Sequence, residues 1–236
     1  MDILKSELRS KETPVKPDDG RPDDETVIGP EDAALDPARG LAIIDVDEVI
    51  ALFIAGFARF LVPHGYEFRL GSYGLLNNIF VAGADSQPDK DQAKALFDRF
   101  FSHGCGDIDP APGAARGLAS LADLAEVVIL TNAPETARQL RGDWLKRHGM
   151  PYPMIINQGP KGPAVRTLAD RVRGPVLFVD DLLSNLDSVA EAAPRVTRVH
   201  MIADPALRIL APTNPNHRRI DDWAELVRVA QDEVFA

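Results

Sequence analysis

Four places in this chain set acids, amides or a lysine directly behind an apolar run. The first is LAIIDVDEV at 41–49, where Asp45 and Asp47 close a stretch suited to a buried strand. Carboxylates are rarely buried unless they are paired, hydrogen-bonded or bound to a cation. The second is EVVIL at 126–130, followed by Thr131 and Asn132. The third is PMII at 153–156, followed five residues later by Lys161 at a helix start. The fourth is PVLFV at 175–179, which ends in Asp180 and Asp181 with Asn185 four residues further on. Carboxylates, a hydroxyl, an amide and an ammonium are the groups that hold a magnesium ion and a phosphoryl group.

These residues can act together only if the chain brings them to one edge. Near-continuous Val/Ile/Leu runs, including a further one at 196–202, alternate with helix-like segments such as 133–148 and 162–172. That alternation predicts an α/β fold: a doubly wound, mostly parallel, Rossmann-like sheet covered on both faces. Functional groups in such sheets collect at the carboxyl ends of the strands. Nearly eighty residues separate Asp47 from the strand at 126, far more than one crossover helix needs. Residues 50–112 are therefore expected to form a small, mostly helical cap inserted after the first core strand, with helices at 49–62 and 90–101. The core is expected over 41–49 and 113–236, closing with an amphipathic helix in DDWAELVRVAQDEV.

The order of the four motifs, IIDVDEV, VILTN, the Lys161 of GPKG and LFVDDLLSN, resembles that of the haloacid dehalogenase-like (HAD) superfamily of hydrolases, over about residues 41–202. The long insert after the first motif resembles that superfamily's cap. The resemblance implies a phosphatase that works through an aspartyl-phosphate. Asp45 would be the nucleophile. Asp47 would act as acid and then base, and its backbone carbonyl would contact the metal. Thr131 and Asn132 would bind phosphoryl oxygens, and Lys161 would neutralise charge between nucleophile and substrate. Asp45 and Asp181 would hold Mg2+, with Asp180 contributing behind them and Asn185 supporting. Thr131-Asn132 is read equally well as the cap of the helix that follows, and the two roles are compatible, since a helix N-terminus attracts anions. One departure stands out: Glu48 occupies a position where the family often has glycine or threonine. A third acid there would perturb Asp47 or face water.

Composition narrows the function classes. The chain has 236 residues, 45% hydrophobic and 26% charged, with a net charge of −10. An acidic balance argues against a nucleic-acid or anionic-membrane binder. It still permits a small phosphorylated substrate, because a bound metal reverses the sign locally. Cys105 is the one cysteine in the sequence, so no intrachain disulfide forms. The opening residues hold no apolar stretch of signal-peptide length, and a cytoplasmic location is expected. Residues 1–40 carry six basic and eleven acidic residues and few aliphatics. They are expected to be a flexible acidic, Pro-rich extension. Within the insert, Arg59, His64, Tyr66, Arg69, Asn77, Asn78, His103 and Cys105 could touch a substrate; each is expected to be structural or solvated. A phosphomutase or a catalytically weak phosphate-binding protein is the alternative to the phosphatase. A receiver-like phosphorylation switch is disfavoured, since it would place its acid pair first and its lysine last.

Overall fold

The computed structural model describes residues 29–236. Residues 1–28 of the expected extension lie outside the described residues. Residues 29–39 pack against the core, with Ala33 buried and the Arg171 guanidinium donating to the carbonyls of Pro30 and Ala33.

Six strands form one sheet. They are β1 (Gly40–Ile44), β4 (Ala125–Thr131), β5 (Met154–Ile156), β6 (Val176–Asp180), β7 (Thr197–His200) and β8 (Arg218–Arg219). The spatial order is β5-β4-β1-β6-β7-β8, and every pairing is parallel. The chain winds outward from β1 in one direction to β4 and β5, then in the other to β6, β7 and β8. The strand order therefore reverses at β1, where ligands of open α/β sheets bind.

β1 is apolar on both sides because both faces are covered. Ala42 and Ile44 join a core with α3 (Ala114–Leu124), α4 (Arg138–Arg147) and α8 (Trp223–Val229). Leu41 and Ile43 point the other way, into α5 (Gly162–Ala169) and α6 (Leu183–Ala192). A strand in that position has no wet face, which is why its sequence shows no alternation.

The insert is mostly helical, as expected, with one addition. It contains α1 (Phe53–Leu61) and α2 (Lys90–Arg99), and between them an antiparallel ribbon of β2 (Tyr66–Phe68) and β3 (Ile79–Val81). Three-residue strands are too short for a period to emerge from sequence. The helix expected from residue 49 begins only at Phe53. Glu48 takes a left-handed conformation, φ 58°, and the amides of Val49, Ile50 and Ala51 all turn back to the Val46 carbonyl. The helix expected over 133–148 is a short 3-10 turn followed by α4, and that expected to run to 172 stops at Ala169. A last short helix, α7 (Pro205–Arg208), precedes β8; neither announces itself by length or pattern.

Aromatic rings hold the insert together. Phe57 stacks on Phe97 with centroids 4.8 Å apart and meets Phe100 edge-on at 5.2 Å. Two tryptophans tie its ends to the sheet domain. The Trp144 indole donates to the Ile108 carbonyl at 2.7 Å, and Trp223 donates to Val49 at 3.1 Å. No helix among the described residues is long and apolar enough to cross a membrane.

Candidate active site

β1 and β6 are neighbours in register, with Ile44 opposite Val179. The next residues along each strand are thus delivered side by side: Asp45 from one, Asp180 and Asp181 from the other. One oxygen from each of these three buried carboxylates lies within 4.8 Å of the others. Lys161, at the N-terminus of α5, completes the group. Its Nζ sits 2.6 Å from Asp45 Oδ1 and donates to Asp180 Oδ2 at 2.7 Å.

The two neighbouring acids of β6 have different surroundings. Asp180 is fully used by the protein. Its Oδ1 accepts from the Leu182 amide and Asn185 Nδ2, and its Oδ2 accepts from Lys161 and Asn185. Asp181 takes one hydrogen bond at its carboxylate, from Tyr73 Oη to Oδ2 at 2.6 Å, and faces a pocket of about 310 Å³. Asp180 holds the scaffold while Asp181 keeps oxygen capacity for a ligand.

Charge is unbalanced here. Three buried carboxylates face one ammonium. Burial pushes the Asp45 carboxyl up to about 7, with Lys161 pulling it back and Asp180 and Asp47 adding to the rise. Burial, then the charges of Asp180 and Asp45, raises Asp181 well above the ordinary range. Burial alone would lower Lys161, but Asp180 and Asp45 outweigh it and hold the ammonium charged. Two like charges at 4 Å repel by about 4 kcal/mol even at an effective dielectric of 20. An all-oxygen donor set with surplus negative charge fits a hard divalent cation such as magnesium.

Asp47 lies apart from this cluster. Its Oδ1 pairs with Arg141 Nη2 at 2.5 Å, and the side chain is a quarter exposed at the pocket wall. Arg141 is wholly buried, lies near Phe101, and leaves Nε and Nη1 without a partner. Sequence reading missed this residue. The signal was an arginine on the inward stripe of α4, in step with Ala137, Trp144 and Leu145. It also missed Tyr73, an insert residue that touches a core acid. Burial raises its hydroxyl's pKa, with Asp181's charge adding to the rise, so it remains a donor.

The remaining expected site residues fall at the same edge. Asn132 lines the pocket, its amide donating to the Gly159 carbonyl at 3.0 Å and its oxygen accepting from Asn157. Thr131 is buried beneath it, its Oγ1 accepting from the Ala133 amide at 3.3 Å. Asn185 reaches the pocket from α6. Glu48 also lines it. Its Oε1 caps the Ile54 amide at 2.7 Å, its Oε2 is buried without a partner, and burial raises its carboxyl to about 8. None of the eight insert residues singled out from sequence lines the pocket. Arg69, for example, pairs with Glu67 and Asp85 and stacks over Phe80, while Asn78 braces the 72–74 loop.

No family model and no curated protein matches the sequence. Solved structures do match. A HAD-hydrolase from Bacillus subtilis, YfnB, bound to magnesium, superposes with a TM-score of 0.54 at 15% identity, covering 82% of this chain and 99% of that one. The fold is that of the HAD-superfamily hydrolases. A second HAD hydrolase, family IA variant 3 from Entamoeba histolytica, gives 0.53 at 13% identity over 82% of this chain and all of its own. CbbY from Rhodobacter sphaeroides, in complex with xylulose-(1,5)bisphosphate, gives 0.50 at 17% identity over 79% and 95%.

Proposed function

We propose that the chain is a magnesium-dependent phosphomonoesterase that passes the phosphoryl group through Asp45. The observation that carries this reading is the convergence of Asp45, Asp180 and Asp181, with Lys161 paired to the first two, at the floor of a pocket roofed by the insert. The insert acts as a cap, contributing Tyr73, Phe97 and Phe101 to the wall. The magnesium-bound neighbour and the neighbour in complex with a phosphate ester support the ion and the ester chemistry on this fold.

An Asp45 oxygen attacks phosphorus as the ester P–O bond breaks. Asp47, released from Arg141, gives its proton to the departing alkoxide, so that the alcohol leaves neutral. A water then attacks phosphorus, Asp47 takes its proton, and inorganic phosphate leaves with Asp45 restored. Lys161 neutralises the anion beside the nucleophile throughout, and Thr131 and Asn132 hold the phosphoryl oxygens. Asp45, Asp181 and the Asp47 carbonyl, with Asp180 behind them, would hold magnesium, which would supply the charge compensation that lets carboxylate and phosphate approach.

Release of p-nitrophenol from its phosphate ester should require magnesium, and Asp45→Asn should lower the rate by about a thousandfold or more. Full turnover in both Asp45→Asn and Asp47→Asn would show the mechanism to be wrong.

A further inference from the structure

The wall of the pocket differs in chemistry from its floor. The floor is ionic; the wall above it is made of Phe53, Ile54, Leu75, Phe97, Phe101 and Leu207. The rings are locked against one another, Phe53 lying 5.8 Å from Phe101 and meeting Phe100 edge-on at 5.3 Å. This surface is therefore preformed rather than collapsed onto itself.

Lys161 is the one cation among the lining residues, and two carboxylates already occupy it. Asp45, Asp47, Glu48 and Asp181 make up the other ionisable carboxyls of the lining. A second phosphate or a carboxylate on the substrate would meet repulsion and no counter-charge. Most polar side chains of the wall are committed as well, with Glu48 Oε2 left without a partner. Tyr73 donates to Asp181, Asn132 to Gly159 and Asn185 to Asp180. The several hydroxyls of a sugar entering here would lose more hydrogen bonds to water than these few polar atoms replace. A volume of about 310 Å³ lies at the small end of ligand sites.

We infer that the leaving group is a small apolar alcohol, aromatic or branched aliphatic, carrying a single phosphate and no second charge. This rests on the phosphatase reading above and deepens it to a substrate class. The phosphoryl end sits on the floor with Asp45 and Lys161, and the hydrocarbon end packs against the phenylalanines of the insert.

The test compares benzyl phosphate and 3-methylbutyl phosphate with glucose 6-phosphate and fructose 1,6-bisphosphate. All are used with the full chain and magnesium, and p-nitrophenyl phosphate serves as the general phosphatase probe. The first two and glucose 6-phosphate are primary alkyl esters, so intrinsic reactivity does not decide the ranking. The expected result is a kcat/KM for the apolar esters about 10- to 100-fold above that for the sugar esters. Leu75→Ser and Phe101→Ser, each checked for an unchanged melting profile, should narrow that ratio. Equal or better turnover of either sugar phosphate, with p-nitrophenyl phosphate also turned over, overturns the apolar assignment and leaves the phosphatase standing. Absence of magnesium-dependent turnover with every ester overturns the phosphatase reading and this inference with it.

Discussion

Glu48 combines two unfavourable features in one residue. A non-glycine residue in the left-handed region is strained by about 1 kcal/mol or more, and a buried carboxyl loses its hydration. What it returns is a cap on the Ile54 amide at the start of α1, so the first turn of the insert is anchored beside Asp47. Its carboxyl is raised from 4.5 to about 8. Between those values the folded state holds a proton that the unfolded state has lost, so stability falls as pH rises across that window. Glu48→Gln keeps an oxygen for Ile54 and has no proton to lose. It should match the parent near pH 4.5 and exceed it near pH 8 by on the order of 1–3 kcal/mol in urea unfolding. Equal stability of the two proteins at both pH values would mean that the carboxylate is charged and solvated after all.

Close helix packing carries the site residues at the scale of elements. A Cβ on Gly162 would lie 2.3 Å from the Ser188 carbonyl oxygen, so α5 approaches α6 backbone to backbone and sets Lys161 at its N-terminus. On the opposite face, a Cβ on Gly117 would lie 2.2 Å from the Trp223 ring, where α3 meets α8. Alanine at either position forces the helices apart and should cost about 1–3 kcal/mol in unfolding experiments. The two should separate in kinetics. Gly162→Ala displaces Lys161 from Asp45 and, under the proposed mechanism, should lower kcat, whereas Gly117→Ala should leave kcat unchanged. Equal kcat losses in both variants would mean that the position of α5 does not govern Lys161.

For the whole molecule, the fold concentrates negative charge at the reversal of strand order, where a bound cation would relieve it. Without magnesium, Asp45 titrates near 7 rather than 3.8 because burial raises it. The folded state then retains protons that the unfolded state releases, and this contribution to stability is lost as pH climbs through that interval. A metal that requires deprotonated ligands binds more tightly as pH rises. The increase in melting temperature on adding magnesium should therefore be small at about pH 5 and larger at about pH 8. Replacing Asp181 by Asn should remove most of it. An increase independent of pH would place the ion elsewhere on the molecule.

The apolar runs and the polar residues that end them were sufficient to determine from sequence the parallel sheet, the place of the insert, and Asp45, Thr131, Lys161 and Asp180-Asp181 as occupants of one edge. These are local signals: a strand buried on both faces must be continuous in hydrophobicity, and a carboxylate at its end needs an explanation wherever it occurs. Tertiary structure alone decided which side chains reach the pocket. Arg141 lies 94 positions from Asp47, and Tyr73 lies 108 from Asp181. Phe53 of α1, Phe97 of α2 and Phe101 just beyond it form a wall only because segments over forty residues apart pack into one cluster. Contacts between distant segments depend on how whole elements pack, and no period within one segment encodes the direction in which another will approach it.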